Sequence, residues 1–268
     1  MGYIYTKSGA LAKRIYFGSV LIWEKLVENE FIIEVDTTKA GTSNNDQFQF
    51  TGAQGDYNVI AKQGSVVVAT FNDLSGEQTI TLPSIGVYVL EVTAKKVNGF
   101  NRIKFNNSGD CLKITDIKQW GSIIWSGFLA SFLGSSNMLV TATDLPNLNL
   151  VTNMGYMFQS ATSANPDVSN WDVSSVTDIY RMFLYATSAN PDVSNWDVSS
   201  VTNMGSMLQG ANLSVENLTA IYENWSQLTL QMNVPFSAGA TKYNSSGQAG
   251  RDILINTYNW SITDGGQV

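Results

Sequence analysis

The sequence predicts a mainly β protein with some α-helix: an N-terminal hairpin, a small β-sandwich, a short solenoid and a C-terminal α/β cap. Three observations support this prediction. Short runs of apolar residues, separated by Gly, Asn and Asp, fill the first half of the chain. An identical segment then occurs twice, at 161–177 and at 186–202. After Ala211 the apolar residues take helical spacing. The predicted domains are 1–29, 30–120, 121–212 and 213–268.

Residues 1–26 contain two apolar and aromatic runs on either side of Gly18-Ser19. Such a pattern predicts a β-hairpin. A hairpin of this size cannot bury a core of its own, so we expect it to dock on another protein. The charged segment 24–30 is the expected linker. The residues expected to make the docking contact are Ile15, Tyr16, Phe17, Leu21, Ile22 and Trp23.

The next segment consists of short strand-like runs with turn residues between them. Strands at this close spacing are typical of a small sandwich. The predicted strands are 31–35, 46–50, 57–61, 66–71, 79–82, 87–93 and 100–105.

The repeat lies in the second half of the chain, where residues 161–177 are identical to residues 186–202. Weaker copies extend it over about residues 130–212. Leucine-rich repeats have periods of about 20–29 residues, and the period of 25 seen here lies within that range. We therefore predict a leucine-rich-repeat-like solenoid. Each unit would contain a short strand, as at 176–179, and a helical turn, as at Met182-Phe183. Trp171 and Trp196 would fill the interior.

Four aspartates recur with the repeat and would stack in pairs, Asp167 with Asp192 and Asp172 with Asp197, about 4.8 Å apart. One interpretation is a calcium ladder, because carboxylate oxygens are the ligands that this hard cation prefers. The other is that the carboxylates only close Asx turns. The Asn-Pro-Asp sequences favour the turns, because Pro and Asp are turn formers by their own chemistry.

The segment after the repeat has the signals of a cap. Ser214 is a predicted helix N-cap, followed by apolar residues at helical spacing. A second helix is expected after Ser245-Ser246, and a final strand at 260–263. We therefore predict that residues 213–268 form an α/β cap on the end of the solenoid.

Composition restricts the function. The net charge of −7 argues against nucleic-acid binding, and the chain has no His and a single cysteine, Cys111. We therefore predict no enzyme activity, no cofactor and no metal beyond the calcium alternative. Residues 119–143 carry no charge, but their many Gly and Ser residues lead us to predict no membrane insertion.

Residues 30–268 resemble the BspA-like leucine-rich-repeat surface proteins. The resemblance is carried by the segments 170–177 and 195–202, by the Asn-Met-Gly-x-Met segments 153–157 and 203–207, and by the ending 258–266. It implies adhesion without catalysis, and a PKD-like fold for the sandwich. Family members often have a Trp-Gly-Asp-Gly turn near the position of residues 61–65, and this chain lacks it.

The segment 13–24 resembles the opening of structural proteins from phages of Bacteroidetes. Because no leader sequence is apparent at Met1, we favour a phage virion structural protein (tail, fibre or capsid decoration) over the alternative, a bacterial cell-surface adhesin. Residues 1–26 would bind other virion proteins, and the repeats would bind a host-surface glycan or protein. A homo-oligomer is expected. A virion glycanase is the least favoured alternative.

Overall fold

The computed structural model describes residues 30–95 and 99–268 in full and, before them, the backbone of three strands. The chain is mainly β, with two α-helices and two short 3-10 turns, Cys111–Lys113 and Ser245–Gly247, in this described part. The strands are β1 (Tyr3–Tyr5), β2 (Leu11–Phe17), β3 (Val20–Leu26), β4 (Phe31–Asp36), β5 (Gln47–Gln49), β6 (Asp56–Gln63), β7 (Val66–Ser75), β8 (Thr79–Thr81), β9 (Val87–Ala94), β10 (Ile114–Gln119), β11 (Leu139–Val140), β12 (Pro235–Ser237) and β13 (Ser261–Thr263). The helices are α1 (Val215–Trp225) and α2 (Gln248–Asn256).

A six-stranded sheet forms the front half, with the strand order β11-β10-β4-β9-β6-β7. All neighbouring strands are antiparallel except β10 and β11, which pair in parallel. A separate two-stranded sheet, β5-β8, lies beside it, and Phe50, the residue after β5, packs its ring on that of Tyr57 in β6, with centroids 5.4 Å apart. The predicted strand at 100–105 is wrong, because that segment forms only an isolated bridge from Arg102 to Gln54.

Alternating burial explains why these residues form a sheet. In β4, β6 and β9 every second side chain is buried and the others are partly exposed, as expected for a sheet with one face on a core. The buried face continues into the repeats. Trp120 packs edge-on against Trp171 with ring centroids 5.5 Å apart, and both belong to one hydrophobic cluster.

A buried ion pair fixes the long loop between β4 and β5. The side chains of Asp110 and Lys113 are fully buried, and Lys113 Nζ lies 3.5 Å from Asp110 Oδ2. The ammonium also donates to the Ser43 hydroxyl at 2.7 Å and to the carbonyls of Ser43, Asn44 and Gln47. Because every proton of the ammonium has an acceptor, the charge is tolerated in the interior.

The two runs predicted to form the N-terminal hairpin are β2 and β3, which pair antiparallel, with Phe17 opposite Val20. Strand β1 pairs with β2 on the other side. The side chains expected to dock on other virion proteins lie outside the described part of the structure. The docking role of Ile15, Tyr16, Phe17, Leu21, Ile22 and Trp23 therefore stays a prediction.

The predicted leucine-rich-repeat-like solenoid is wrong. Residues 121–212 are all described, and they form a single short strand, β11, and no helix. The repeats are built of turns and of isolated parallel bridges, such as Asn153 with Asp178 and Asp178 with Asn203. The strand expected at 176–179 and the helical turn expected at Met182-Phe183 are both absent. The chain is mainly β because of its front sheet.

Left-handed backbone explains why strands and helices do not form in the repeats. Tyr156, Arg181 and Ser206 occupy equivalent positions and have φ of 60°, 56° and 53°. Such residues interrupt both an extended strand and a right-handed helix. Hydrogen bonds between residues three apart close turns instead, as from the Met157 amide to the Met154 carbonyl at 3.2 Å. Trp171 and Trp196 are nevertheless buried, as expected.

The C-terminal segment contains both predicted helices. Ser214 is the N-cap of α1, where its hydroxyl accepts a hydrogen bond from the Asn217 amide at 3.1 Å. The apolar side of this helix is buried, and Trp225 Nε1 donates to the Val193 carbonyl at 3.1 Å. Helix α2 follows, and β12 pairs in parallel with β13. Helix α1 therefore packs directly on the last repeat.

Candidate functional site

Three turn segments lie side by side and form a surface that we call the turn ladder, residues 153–160, 178–185 and 203–210. Alternate amides of one segment donate to carbonyls of the next. The Tyr156 amide donates to Tyr180 at 2.9 Å, and the Arg181 amide donates to Gly205 at 3.0 Å. The turns therefore support one another as strands do in a parallel pair, although the backbone is not extended.

The middle segment of the turn ladder differs from its neighbours. The first and third segments agree at five of their eight positions, whereas the middle and third share only the methionine at 182 and 207. The first and third have Gly where the middle has Tyr180, and Gln where it has Leu184. The backbone is left-handed at equivalent positions in all three segments, so the differences change side chains and not the turn itself. The middle segment therefore presents side chains that its two neighbours lack, on the same backbone.

An open groove of about 610 Å³ lies beside the ladder. The Tyr185 side chain, 53% exposed, forms one edge. The ring lies against Gly210, where an added Cβ would come within 2.7 Å of Tyr185 Cδ1. Gly210 also has φ of 74°, so a side chain there would be strained as well as crowded. Because residue 210 is glycine, the Tyr185 ring can pack directly on the backbone of that residue.

The opposite side of the groove comes from the C-terminal segment. Ser237, Thr241 and Thr263 line it, and Gln209 lies on the ladder side. Backbone hydrogen bonds join this wall, from the Ala238 amide to the Thr263 carbonyl at 2.9 Å. The groove therefore depends on segments that are far apart in the chain. The groove lining, all of it in the described part, carries hydroxyl and amide groups and no charged side chain.

A buried hydrogen-bonded cluster around Asp264 holds this wall in place. Asp264 Oδ2 accepts from the Tyr222 hydroxyl at 2.6 Å and from Arg251 Nε at 2.7 Å. Asp264 Oδ1 accepts from the Gly266 amide at 3.0 Å. The cluster ties α1 and α2 to the residue that follows Thr263 in the groove wall.

The same contacts set the ionisation of the cluster. Burial alone would raise the pKa of Asp264, but the hydrogen bonds from Arg251, Tyr222 and the Gly266 amide outweigh it and lower that pKa. Burial, and then the hydrogen bond to the Asp264 carboxylate, raise the pKa of Tyr222. The carboxylate is therefore charged and the phenol neutral at neutral pH, which makes the groups matched acceptor and donor.

The four repeat aspartates are found in Asx turns. Asp167 Oδ1 accepts from the Ser169 hydroxyl at 2.7 Å, and Asp172 Oδ1 accepts from the Ser174 hydroxyl at 2.6 Å. These hydrogen bonds lower the pKa of both carboxyls. Asp192 accepts from the Ser194 amide and hydroxyl, and Asp197 from the Ser199 amide. In the described ranges no three His, Cys, Asp or Glu side chains gather into a metal-binding group. The calcium alternative stays a prediction.

The groove residues were not among the sites predicted from sequence. No motif identifies Tyr185 or Thr263, because the groove joins distant segments and its side chains have no catalytic chemistry. One signal was available. Residues 178–185 break the repeat between the two identical segments, and Tyr185 lies at the end of that break.

Within the described ranges, no helix is both long enough and apolar enough to span a membrane.

Comparison with known proteins gives a match to a family model. This model, described as "Mycoplasma protein of unknown function, DUF285", matches residues 128–248, which include the turn ladder and most of the groove lining. No curated protein and no solved structure matches the chain significantly. The N-terminal segment that resembles phage proteins lies outside the match. Residues 128–248 are thus similar to that family, and this similarity gives weak support to the resemblance to BspA-like surface proteins.

Proposed function

We propose that this chain is a non-enzymatic recognition protein whose groove beside Tyr185 binds an uncharged stretch of a carbohydrate chain. One observation carries the proposal: an exposed aromatic ring, held against Gly210, forms the edge of an open groove lined by hydroxyl and amide groups. Binding sites of this kind combine an apolar surface with a few polar groups that fix orientation.

Each part of the groove suits one part of a sugar. The C–H groups on the face of a pyranose ring can pack on the Tyr185 ring, which is fixed in advance and loses little freedom on binding. Sugar hydroxyls can exchange hydrogen bonds with the Gln209 amide and with the hydroxyls of Ser237, Thr241 and Thr263. The open shape suits an internal segment of a chain as well as a free end.

The setting that we propose is a phage virion, in which residues 1–26 attach the protein to other virion proteins and the ladder faces the host. The resemblance of segment 13–24 to phage structural proteins supports it. The alternative is a bacterial cell-surface adhesin, the setting that the resemblance to BspA-like surface proteins implies. In both settings the groove would bind a surface glycan.

Binding is tested with the full-length protein on an array of neutral oligosaccharides, followed by calorimetry on the best ligand. The variant Tyr185→Ser places at this position the residue of the equivalent Ser160, so the turn should form normally. We expect at least a tenfold loss of affinity, which is about 1.4 kcal/mol. The control Leu150→Ser removes a side chain that is also exposed, at 59%, and should bind as the wild type does. Equal binding by Tyr185→Ser and wild type would contradict the proposal.

The setting is tested by mass spectrometry of purified phage particles and of fractionated bacterial envelopes. We expect the chain in particles, at a copy number that fits a symmetric assembly. Deletion of residues 1–26 should abolish incorporation and leave oligosaccharide binding by the isolated protein unchanged. Recovery of the chain only from bacterial envelopes would replace the virion setting with the adhesin.

The glycanase alternative has a direct assay. Glycoside hydrolases usually need two carboxyl groups on either side of the scissile bond. We expect no new reducing ends when the protein is incubated with the polysaccharide that it binds. Release of reducing ends that grows with time and with protein concentration would overturn the non-enzymatic proposal.

A further inference from the structure

Arg181 is an isolated positive charge in the second half of the chain. It is the only Lys or Arg between Lys118 and Lys242. The same interval has eight acidic residues, namely Asp144, Asp167, Asp172, Asp178, Asp192, Asp197, Glu216 and Glu223. Arg181 is therefore the single basic side chain in an acidic part of the sequence.

Two tyrosines hold the Arg181 guanidinium in place. Its Cζ lies 4.8 Å from the centroid of the Tyr180 ring and 5.9 Å from that of the Tyr156 ring. The two rings are themselves in edge-to-face contact, with centroids 5.3 Å apart. Cation–π contacts of this kind fix a guanidinium without using its N–H donors. The terminal N–H donors of the guanidinium therefore stay available for a ligand.

The Arg181 guanidinium has a donor that the described part of the structure leaves unsatisfied. Its Nε is buried and has no hydrogen-bond partner, and no carboxylate in the described ranges forms an ion pair with it. The nearby Asp178 carboxylate accepts instead from the Tyr180 amide at 2.9 Å and from the Asn153 amide group at 3.4 Å. Arg181 as a whole is partly exposed, so a ligand from solvent can reach the terminal N–H donors of the guanidinium, and not the buried Nε.

The backbone conformation of the turn does not require arginine. Equivalent positions in the neighbouring segments hold Tyr156 and Ser206, with φ of 60° and 53° beside 56° for Arg181. The backbone therefore accepts a phenol or a hydroxymethyl group at this point as well as a guanidinium. A ligand is a better explanation of arginine in the middle segment than the turn itself.

We propose that Arg181 binds the carboxylate of an acidic saccharide, and that a neighbouring sugar of the same chain lies on Tyr185. This inference rests on the proposed function. A carboxylate fits better than a phosphate because a single guanidinium balances a single negative charge, and the Asp178 carboxylate nearby disfavours a second one. The two residues are four apart in one turn segment, so their Cα atoms lie at most about 14 Å from each other. One oligosaccharide can reach both.

Calorimetry with two trisaccharides tests the inference: trigalacturonate and its fully methyl-esterified form, which has no charge. We expect the wild type to bind the acid at least tenfold more tightly than the ester. The variant Arg181→Ser, which places here the residue of Ser206, should bind both equally and keep its affinity for the ester. The control Lys39→Ser removes one positive charge from the front half and should keep the preference for the acid.

Two further measurements need no variant. The affinity of the wild type for the acid should fall as salt rises from about 50 to about 500 mM, whereas its affinity for the ester should not change. Inorganic phosphate should compete with the acid less well than galacturonate does. A preference for the acid that survives Arg181→Ser, or phosphate competing as well as galacturonate, overturns the inference.

The failure of this inference and the failure of the proposed function give different results. Binding of the ester that depends on Tyr185, with no preference for the acid, refutes the role of Arg181 alone. Absence of binding to both trisaccharides and to every glycan of the array refutes the groove proposal and this inference together.

Discussion

Replacement of Asp264 by asparagine is the sharpest test of how the groove wall is held. The carboxylate joins the Tyr222 hydroxyl on α1, the Arg251 guanidinium on α2 and the Gly266 amide. Asparagine has nearly the same shape and keeps one oxygen as an acceptor. It removes the charge, however, and turns its other terminal atom into a donor that faces two donors, Tyr222 and Arg251.

The magnitude follows from the burial of the pair. The Asp264 side chain is 3% exposed and that of Arg251 is 21% exposed. Removing one partner of a buried ion pair costs about 3–5 kcal/mol, because the other charge stays in the interior without compensation. Arg251 can partly reach water, so we expect the low end of this range. The variant should lose about 3 kcal/mol of unfolding free energy at pH 7.

The pH dependence has a definite sign. The folded-state pKa of Asp264 is lowered, so its contribution to stability is fully present above the unfolded-state pKa, which is about 4. That contribution is lost as the pH falls through the folded-state pKa. The difference in stability between wild type and Asp264→Asn should therefore be largest at neutral pH and shrink below about pH 4.

Urea unfolding at pH 7 and at pH 3, followed by near-ultraviolet circular dichroism, measures both effects. Hydrogen exchange shows where the variant is loosened, since the amides of Ala238 in the groove wall and of Gly265 next to Asp264 should exchange faster. The control Asp252→Asn, at an exposed position of α2, should change stability by less than about 0.5 kcal/mol. An equal loss at pH 3 and pH 7, or no loss at pH 7, would refute the reasoning.

Three other outcomes are expected. Lys113→Met should lower the unfolding free energy by about 3 kcal/mol in urea, because it leaves the buried Asp110 carboxylate without its partner. Trp196→Phe should cost about 1–3 kcal/mol in the same assay, because the indole donates to the buried Val168 carbonyl at 2.8 Å. Calcium at about 1 mM, compared with EDTA, should leave the melting temperature unchanged if the repeat aspartates only close turns. If calcium raises the melting temperature and Asp172→Asn abolishes that rise, the result would support the calcium alternative.

Local patterns in the sequence predicted local structure well. The apolar runs at 31–35 and 87–93 predicted the strands that are found as β4 and β9, and Ser214 predicted the start of α1 from its capping chemistry. The burial of Trp171 and Trp196 also followed from their place in the repeat. In each case a few neighbouring residues, or a fixed period, determine the outcome.

Period alone was not enough to predict the form of a repeat. The spacing of the two copies fits a leucine-rich repeat, but backbone dihedral angles decide whether the unit contains strand and helix. Here Tyr156 and Arg181 adopt left-handed backbone conformations, which neither residue favours, so composition gave no warning of the turns. The groove could not be predicted for a different reason. It joins Tyr185 to Thr263, which are distant in the sequence, and only the folded chain places them together.

The duplication in this chain separates two kinds of position. Residues 161–177 and 186–202 are identical and contain buried tryptophans together with the aspartate turns. The segment that follows the first copy differs from the one that follows the second at seven of eight positions, yet both have left-handed backbone at the same positions and hydrogen bonds join them, as from the Arg181 amide to the Gly205 carbonyl. The identical part therefore supplies the buried core and the turns of the repeat. The divergent part can change its side chains without changing its backbone conformation. A catalytic centre would require a few acids or bases in fixed geometry, whereas recognition requires only that different side chains can be presented on the same turns. We therefore tie the proposed function to Tyr185 and its neighbours, which break the repeat, and not to the residues that preserve it.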